Sequence, residues 1–210
     1  TAKDHRLLQS VIKSLKFREE NEIRDDDKSN LTGFKGLSFN PLILNRDVES
    51  ELIAFLYQMS SREMEKTGIT DARFGNGKCS IDFSLFEDAS SIIKKVANDL
   101  TEIMMESVKS EIYVHDSFFN ILGAGGGTTP HAHLTELDND FWFYLGKQKY
   151  SLVYYLCVGD QNCNEPGTLK LYDPNEDILP HEGMITIIPS SRKHSAVYGG
   201  KSDRVMIGVN

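Results

Sequence analysis

The pattern of apolar residues changes near residue 110, and this change limits the folds that the chain can adopt. Before it, apolar residues recur at helical spacing in three segments, residues 3–17, 47–66 and 89–109. After it, short apolar runs rich in β-branched and aromatic residues alternate with turn sequences. Helices followed by many short strands is the order of an α+β domain, in which helices pack on one sheet of a β-barrel or sandwich.

The pattern in the second half of the chain predicts a series of short strands. The predicted strands are residues 112–122, 150–158, 168–172, 184–188, 195–198 and 204–209. A glycine-rich run at 123–127 and turn sequences at 165–167, 173–175 and 199–200 separate them. We therefore predict one domain over residues 1–210, with residues 1–110 as a mainly helical support and residues 111–210 as the β core.

Composition excludes several classes of function. The 210 residues carry a net charge of −8 with scattered lysines and arginines, which argues against a nucleic-acid partner. No apolar run approaches the ~20 residues that span a bilayer, so we expect no membrane partner. Cys79, Cys157 and Cys163 are odd in number and lack CxxC spacing, which favours reduced thiols and a cytoplasmic location. The oligomeric state is left open.

Three histidines and one arginine form the strongest chemical signal. His131 and His133 flank Ala132, and alternate side chains of an extended segment share a face. His194 follows an apolar strand that ends at Pro189, and Arg204 begins the last predicted strand. Imidazoles bind iron, zinc, copper and nickel, and three protein ligands leave positions open for substrate and oxygen. A planar guanidinium is the preferred partner of a carboxylate, so this set predicts a metal site with an anion clamp.

These residues also stand in a recognisable order. The sequence resembles the prolyl-hydroxylase-like branch of the Fe(II)/2-oxoglutarate-dependent oxygenases that carries a His-x-His pair, over about residues 117–210. The matching segments are Phe119-Asn120, Pro130-His131-Ala132-His133, the strand at 150–156, Gly167 to Pro174, Glu182-Gly183, Ile188-Pro189-Ser190, His194 to Val197, and Arg204 to Asn210.

The resemblance implies a double-stranded β-helix, a jelly-roll or cupin-like barrel, with the N-terminal helices packed on one sheet. It implies that His131, His133 and His194 hold Fe(II) and that Arg204 binds the distal carboxylate of the co-substrate 2-oxoglutarate. The implied activity is that of a dioxygenase that consumes O2, releases succinate and CO2, and hydroxylates an unactivated C–H bond. A small molecule or a protein side chain is the implied substrate.

Two positions depart from the family pattern. Most relatives have an acidic residue where this chain has His133, so either His133 is itself a ligand, or Glu136 or Asp138 takes that place, or water does. Many relatives also have a hydroxyl residue where this chain has Met206. Further co-substrate contacts are therefore expected from elsewhere, with three candidates: Asn120, Ser151 and Tyr155.

Two rival interpretations fit part of the pattern. A cupin-like metal-binding protein, or a cupin-like enzyme that does not use 2-oxoglutarate, would share the spacing of Gly125 to the histidine pair, an acid at Asp138, and Pro189 ahead of His194. It would not require Arg204. A catalytically silent sensor or interaction domain could also keep the fold. Binding of 2-oxoglutarate that depends on Fe(II) separates the oxygenase from both.

Overall fold

The structure, a computed structural model, describes residues 12, 40–66, 68, 71–135, 138, 146 and 148–210. This part of the chain contains two α-helices, two short 3-10 helices (Met64–Lys66 and Leu85–Glu87) and twelve strands. The α-helices are α1 (Ser50–Gln58) and α2 (Ser91–Val108). The strands are β1 (Leu42–Asn45), β2 (Ser61–Glu63), β3 (Arg73–Phe74), β4 (Gly77–Ser80), β5 (Ser117–Leu122), β6 (Gly126–His131), β7 (Tyr150–Cys157), β8 (Leu169–Leu171), β9 (Glu176–Ile178), β10 (Met184–Pro189), β11 (His194–Tyr198) and β12 (Arg204–Val209).

The strands form two antiparallel sheets. The larger sheet has seven strands in the order β1-β10-β7-β12-β5-β4-β2, and the smaller has five in the order β3-β6-β11-β8-β9. Strands that are distant in sequence lie side by side, as when β12 sits between β5 and β7. The two sheets with crossing connections confirm the predicted double-stranded β-helix architecture.

One face of the larger sheet is covered by the helices. Side chains alternate along a strand, so Val205 and Ile207 of β12 join the core with Leu52 of α1 and Leu100 of α2. The predicted helix at 89–109 is confirmed as α2, with Ser90 at its N-cap accepting a hydrogen bond from the Ile93 N–H. The predicted packing of helices on one sheet is thus present.

The opposite face of the larger sheet looks toward the smaller sheet. Tyr155, Met184 and Ile188 from the larger sheet pack with Leu169 and Leu171 from the smaller one. A second cluster joins residues of β4, β5 and β11 around Cys79, Leu122 and Tyr198. The space between the sheets is therefore lined by alternate residues of each strand, and it contains the candidate site described below.

The predicted helix at 47–66 is wrong in its second half. Helix α1 ends at Gln58, and residues Ser61–Glu63 form β2, which pairs with β4. The predicted caps Asn45 and Asp47 do not start it either, since its N-cap is Glu49 and Asn45 closes β1. Pairing with a distant strand overrides the local helical pattern here.

The first half of the chain also contributes more strand than predicted. Four strands between residues 42 and 80 extend both sheets, so the helical support is incomplete as a description of residues 1–110. The predicted strand at 112–122 begins only at Ser117. Gly126 and Gly127 belong to β6 rather than to a turn, and they are glycines because a Cβ would collide with the backbone of Asn76 at the first position and of Ala196 at the second. The predicted helix at 3–17 lies outside the described residues apart from Ile12.

Among the described helices, none is long and apolar enough to cross a membrane.

Helix α2 ends at a residue that glycine would suit better. Lys109, its C-cap, has φ 55° and ψ 38°, the left-handed conformation, which costs a non-glycine residue roughly 1–2 kcal/mol. We expect Lys109→Gly to raise the free energy of unfolding by about 1 kcal/mol, as measured by urea denaturation. Lys109→Ala removes the same side chain but keeps the Cβ, so it is the control. Equal stability of the two variants would contradict this account.

Candidate functional site

Two paired strands bring two of the predicted histidines together. His131 is the last residue of β6 and His194 is the first residue of β11, and the two residues are directly opposite each other in the antiparallel pairing. His133 lies two residues beyond β6, and its backbone N–H donates to the Ser190 carbonyl at 2.9 Å. This hydrogen bond holds the segment after β6 against the larger sheet, so His133 faces the same space as the other two.

The three imidazoles converge. One potential ligand nitrogen from each of His131, His133 and His194 lies within 4.8 Å of the other two. The ring centroids are 4.5–5.0 Å apart, and the Nε2 atoms of His133 and His194 are 3.2 Å apart. Imidazole nitrogens bind divalent metals at about 2.0–2.1 Å, so this spacing suits adjacent ligands of one ion.

The nitrogens that face away from the site have defined partners. The Nδ1 of His131 is 2.7 Å from the Thr129 carbonyl, and the Nδ1 of His194 is 3.0 Å from the Arg192 carbonyl. A carbonyl only accepts, so both Nδ1 atoms carry the proton and both Nε2 atoms present a lone pair to the site. His133 differs, because its Nδ1 lies 3.2 Å from the side-chain amide nitrogen of Asn210.

Burial keeps the histidines uncharged at neutral pH. It lowers the pKa of His131, and it lowers the pKa of His194 to about 4, with the neighbouring His131 acting in the same direction. The pKa of His133 is also well below its usual value, first because of burial and then because of His194 and His131. Neutral imidazole is the form that binds metals, so the cluster is suited to hold a cation.

Asp138, one of the two carboxylates proposed as substitutes for His133, is not part of the histidine cluster. Asp138 Oδ2 accepts hydrogen bonds from the backbone and hydroxyl of Thr135 at 2.7 and 2.8 Å and from Lys149 at 3.0 Å. These partners lower the pKa of Asp138 against the opposing effect of its burial, which is the largest single influence. Glu136 lies outside the described residues.

Arg204 is fully buried, and only one of its three side-chain nitrogens has a hydrogen-bond partner among the described residues. It has no exposed surface, and its Nη1 donates to the Gly167 carbonyl and, at 3.5 Å, to that of Pro166. Its guanidinium carbon stands 5.0 Å from the centroid of the Tyr155 ring. Its Nε and Nη2 are buried and form no hydrogen bond with any described residue. Burial lowers the pKa of Arg204 and Tyr155 opposes this effect, but a guanidinium stays charged in proteins.

Gly167 makes room for this guanidinium. Its φ is 81°, which disfavours any residue with a Cβ, and a Cβ there would collide with Nη1 of Arg204. The Gly167 and Pro166 carbonyls occupy Nη1, which leaves the Nε and Nη2 donors of Arg204 facing the space between the sheets. Such groups are costly to bury without a partner, so an anion that binds there would satisfy both nitrogens.

The other predicted co-substrate residues have different surroundings. Asn120 is buried on β5, and its amide oxygen has no hydrogen-bond partner in the described structure. Tyr155 packs on Arg204, and burial raises the pKa of its phenol. Ser151 instead hydrogen-bonds to Ser190 at 3.0 Å and to Asn210 at 2.6 Å, so it belongs to the surroundings of His133.

Sequence reasoning missed Thr186 and Asn210. Thr186 lies on β10, and its buried hydroxyl stands beside the phenol of Tyr155, whose pKa it lowers against the larger, opposing effect of burial. It is the lone polar residue in an apolar strand, which is the signal that could have indicated it. Asn210 follows β12 and gave no signal, because an asparagine after a strand usually marks a turn.

Structural comparison identifies the fold. No protein-family model and no curated protein sequence matches this chain. Among solved structures, a prolyl hydroxylase from Trichoplax adhaerens, in complex with a hypoxia inducible factor peptide fragment, aligns with a TM-score of 0.59 and 15% identity over 88% of this chain and 90% of that one. The viral collagen prolyl hydroxylase of Paramecium bursaria Chlorella virus-1 aligns with a TM-score of 0.56 and 11% identity over 82% and 95%.

A 2OG-Fe(II) oxygenase family protein from Burkholderia pseudomallei aligns with a TM-score of 0.55 and 11% identity over 80% of this chain and 83% of that one. At these identities the likeness establishes the fold alone. The chain therefore has the double-stranded β-helix fold seen in 2OG-Fe(II) oxygenases, and the resemblance expected from its sequence is confirmed at that level.

The buried neutral histidines predict a pH dependence of stability. As pH falls from 6.5 toward about 4, His194 is protonated in the unfolded chain but not in the folded one, so unfolding becomes easier. We expect the urea midpoint of the metal-free protein to fall in this window, and His194→Gln to reduce the fall. The exposed His181, replaced in the same way, controls for the loss of one imidazole. A wild-type midpoint that does not change across the window would contradict this prediction.

Proposed function

We propose that this protein is an Fe(II)- and 2-oxoglutarate-dependent oxygenase that hydroxylates an unactivated C–H bond and releases succinate and CO2. The observation that carries the proposal is Arg204, a buried cation with two unsatisfied donor nitrogens, in a fold whose inner space also holds three converging histidines. Either feature alone has a structural explanation. Together they supply both binding functions that the reaction needs, one for a metal and one for a dicarboxylate.

The donor set fits Fe(II). His131 and His194 would hold the ion through Nε2, since their outer nitrogens are already engaged by backbone carbonyls. With few protein ligands, positions remain open for a chelating co-substrate and for O2. His133 faces the same point.

Arg204 would bind the distal carboxylate of 2-oxoglutarate. A guanidinium with Nε and Nη2 free presents the two donors of a bidentate pair. Tyr155, which packs on the guanidinium, belongs to an apolar cluster with Ile188 and Met206 that would exclude water and strengthen that pairing. The Thr186 hydroxyl and the Asn120 amide oxygen line the same face of the sheet, and Thr186 could supply the hydroxyl that Met206 lacks.

The chain itself would bind, orient and desolvate, while the bound metal and co-substrate would supply the oxidation with O2. The two clusters of apolar residues between the sheets would keep water out, and burial would keep His131 and His194 in the neutral form that binds a metal. A small molecule or a protein side chain remains the proposed substrate. The three free cysteines support the proposed cytoplasmic location.

The cupin-like alternative does not account for Arg204. A metal site on its own gives no reason to bury a guanidinium beside Tyr155 with two donors unused. Burying such a group is costly, and a bound anion would offset the part of that cost that the Gly167 carbonyl and the Tyr155 ring leave. We therefore prefer the oxygenase.

Turnover provides the functional test. Succinate and CO2 should form from 2-oxoglutarate only when Fe(II) and O2 are both present, and faster when the substrate is found in a panel of amino acids, peptides and metabolites. Succinate formation that persists without added metal in the presence of a chelator, or that is absent under all conditions, would contradict the proposal.

Replacing the arginine tests its role separately. Arg204→Met should weaken 2-oxoglutarate binding by about 30-fold or more, corresponding to the about 2–5 kcal/mol lost when a buried charge pair is broken. Metal affinity should change little. We expect the metal-free variant to be no less stable than the wild type, because a partly unsatisfied buried cation has been removed.

Arg204→Lys is the matched variant for charge. It keeps a cation but loses the planar fork, so its affinity for 2-oxoglutarate should fall between those of the wild type and Arg204→Met. Calorimetric titration with 2-oxoglutarate in the presence of a redox-inert divalent metal measures all three. Equal affinities would show that Arg204 does not bind the co-substrate.

A further inference from the structure

The side chain of Asn210 sits among three polar groups beside the histidine cluster. Its amide nitrogen is 2.6 Å from Asp116 Oδ1 and 3.2 Å from His133 Nδ1, and its amide oxygen is 2.6 Å from Ser151 Oγ. The backbone of Asn210 is also fixed, because its N–H donates to the Asp116 carbonyl and its own carbonyl accepts from the N–H groups of His115 and Asp116. The amide thus has little freedom to move.

The partners determine which way the amide points. A carboxylate only accepts hydrogen bonds, so the atom next to Asp116 must be the NH2 group. The hydroxyl of Ser151 then donates to the amide oxygen, in agreement with this orientation. His115 lies 3.1 Å from the other oxygen of Asp116 and helps to hold that carboxylate in place. One hydrogen of the Asn210 NH2 group is used by Asp116, and the other points at His133.

This orientation determines the tautomer of His133. Its Nδ1 must accept the hydrogen bond from Asn210, so a neutral His133 carries its proton on Nε2. That Nε2–H lies 3.2 Å from the Nε2 of His194, whose lone pair is free to accept because its Nδ1–H donates to Arg192. From Asp116 to Arg192, each hydrogen bond in this series therefore has one donor and one acceptor. His131 thus presents a lone pair to the site and His133 presents an N–H, whereas the lone pair of His194 accepts from His133 until a bound metal takes its place.

We propose that Asn210 is a positioning residue that makes His133 a hydrogen-bond donor in the candidate metal site instead of a third metal ligand. The inference rests on the proposed function only for the identity of the metal. Two histidine ligands would then remain, with one more position open than in a three-histidine site. The N–H beside that position suits a ligand with an acceptor oxygen, such as a carboxylate or a carbonyl.

The tautomers can be measured directly in the metal-free protein. Long-range ¹H–¹⁵N correlation spectra at neutral pH distinguish an imidazole with its proton on Nδ1 from one with its proton on Nε2. We expect the Nδ1–H form for His131 and His194 and the Nε2–H form for His133. The Nδ1–H form at His133 in the wild-type protein would overturn the proposal.

A charge-conserving exchange tests the cause. In the double variant Asp116→Asn with Asn210→Asp, the new amide donates to the new carboxylate, which then accepts from His133 Nδ1. His133 should switch to the Nδ1–H form and gain a lone pair at Nε2. Ser190→Ala is the control, because Ser190 bonds to Ser151 but does not contact the Asn210 amide, and the tautomer should not change.

Metal binding gives the second measurement. With Cu(II) as the probe, electron spin echo spectra that count coupled imidazoles should show two in the wild type and three in the exchange variant. Affinity for Co(II) should increase in the variant by about 10- to 100-fold, the effect typical of groups that orient a ligand. Three imidazoles on Cu(II) in the wild type would contradict the proposal.

These outcomes are independent of the proposed oxygenase activity. If the protein binds neither Fe(II) nor 2-oxoglutarate, the proposed function fails, yet the tautomers of the metal-free protein still decide the role of Asn210. If 2-oxoglutarate binds in the presence of Fe(II) but His133 shows the Nδ1–H form, the positioning role fails and the proposed function stands.

Discussion

The pairing of β6 with β11 is the constraint on which the site depends. It places His131 directly opposite His194 although the two residues are far apart in sequence. Gly127 of β6 permits the close pairing, because a Cβ at this position would collide with the backbone of Ala196. The next contact along the chain, from the His133 backbone to Ser190, then ties the end of β6 to the larger sheet. Backbone hydrogen bonds, more than side-chain packing, thus bring the three imidazoles together.

Because side chains alternate along each strand, the two faces of the larger sheet differ: one packs against the helices, and the other carries the polar residues of the candidate site. On β12, Val205 and Ile207 pack beneath the helices, whereas Arg204 faces the space between the sheets. Apolar burial on the first face supplies stability. On the second face polar groups are buried at a cost, and several of them have no hydrogen-bond partner in the described structure. An anionic ligand between the sheets would satisfy the Nε and Nη2 of Arg204 on this face.

The sequence predicted the parts of the site that depend on local spacing. His131 and His133 share a face because the segment is extended, and the apolar stripe of α2 follows from helical periodicity. It could not predict pairings between distant segments. Ser61–Glu63 continues an apparent helical pattern but pairs with β4, and no local feature shows this.

Tertiary contacts also explain why single polar residues were missed. Nothing in the sequence connects Asn210 with Asp116. The two residues contact each other only because β12 ends beside the segment before β5. Ser151 was predicted to contact the co-substrate, but its hydrogen bonds connect it to Asn210 instead. The strand pattern placed it on the correct face, yet which neighbour it meets there depends on strand order.

The central claim is that a metal and 2-oxoglutarate bind together between the two sheets, and an anaerobic absorbance titration tests it most directly. Fe(II) is added to the metal-free protein first, and 2-oxoglutarate is added second. We predict a visible absorption band that appears only when both are present and that saturates at stoichiometric 2-oxoglutarate. A protein that binds Fe(II) but shows no response to 2-oxoglutarate would contradict the account and favour a cupin-like metal protein.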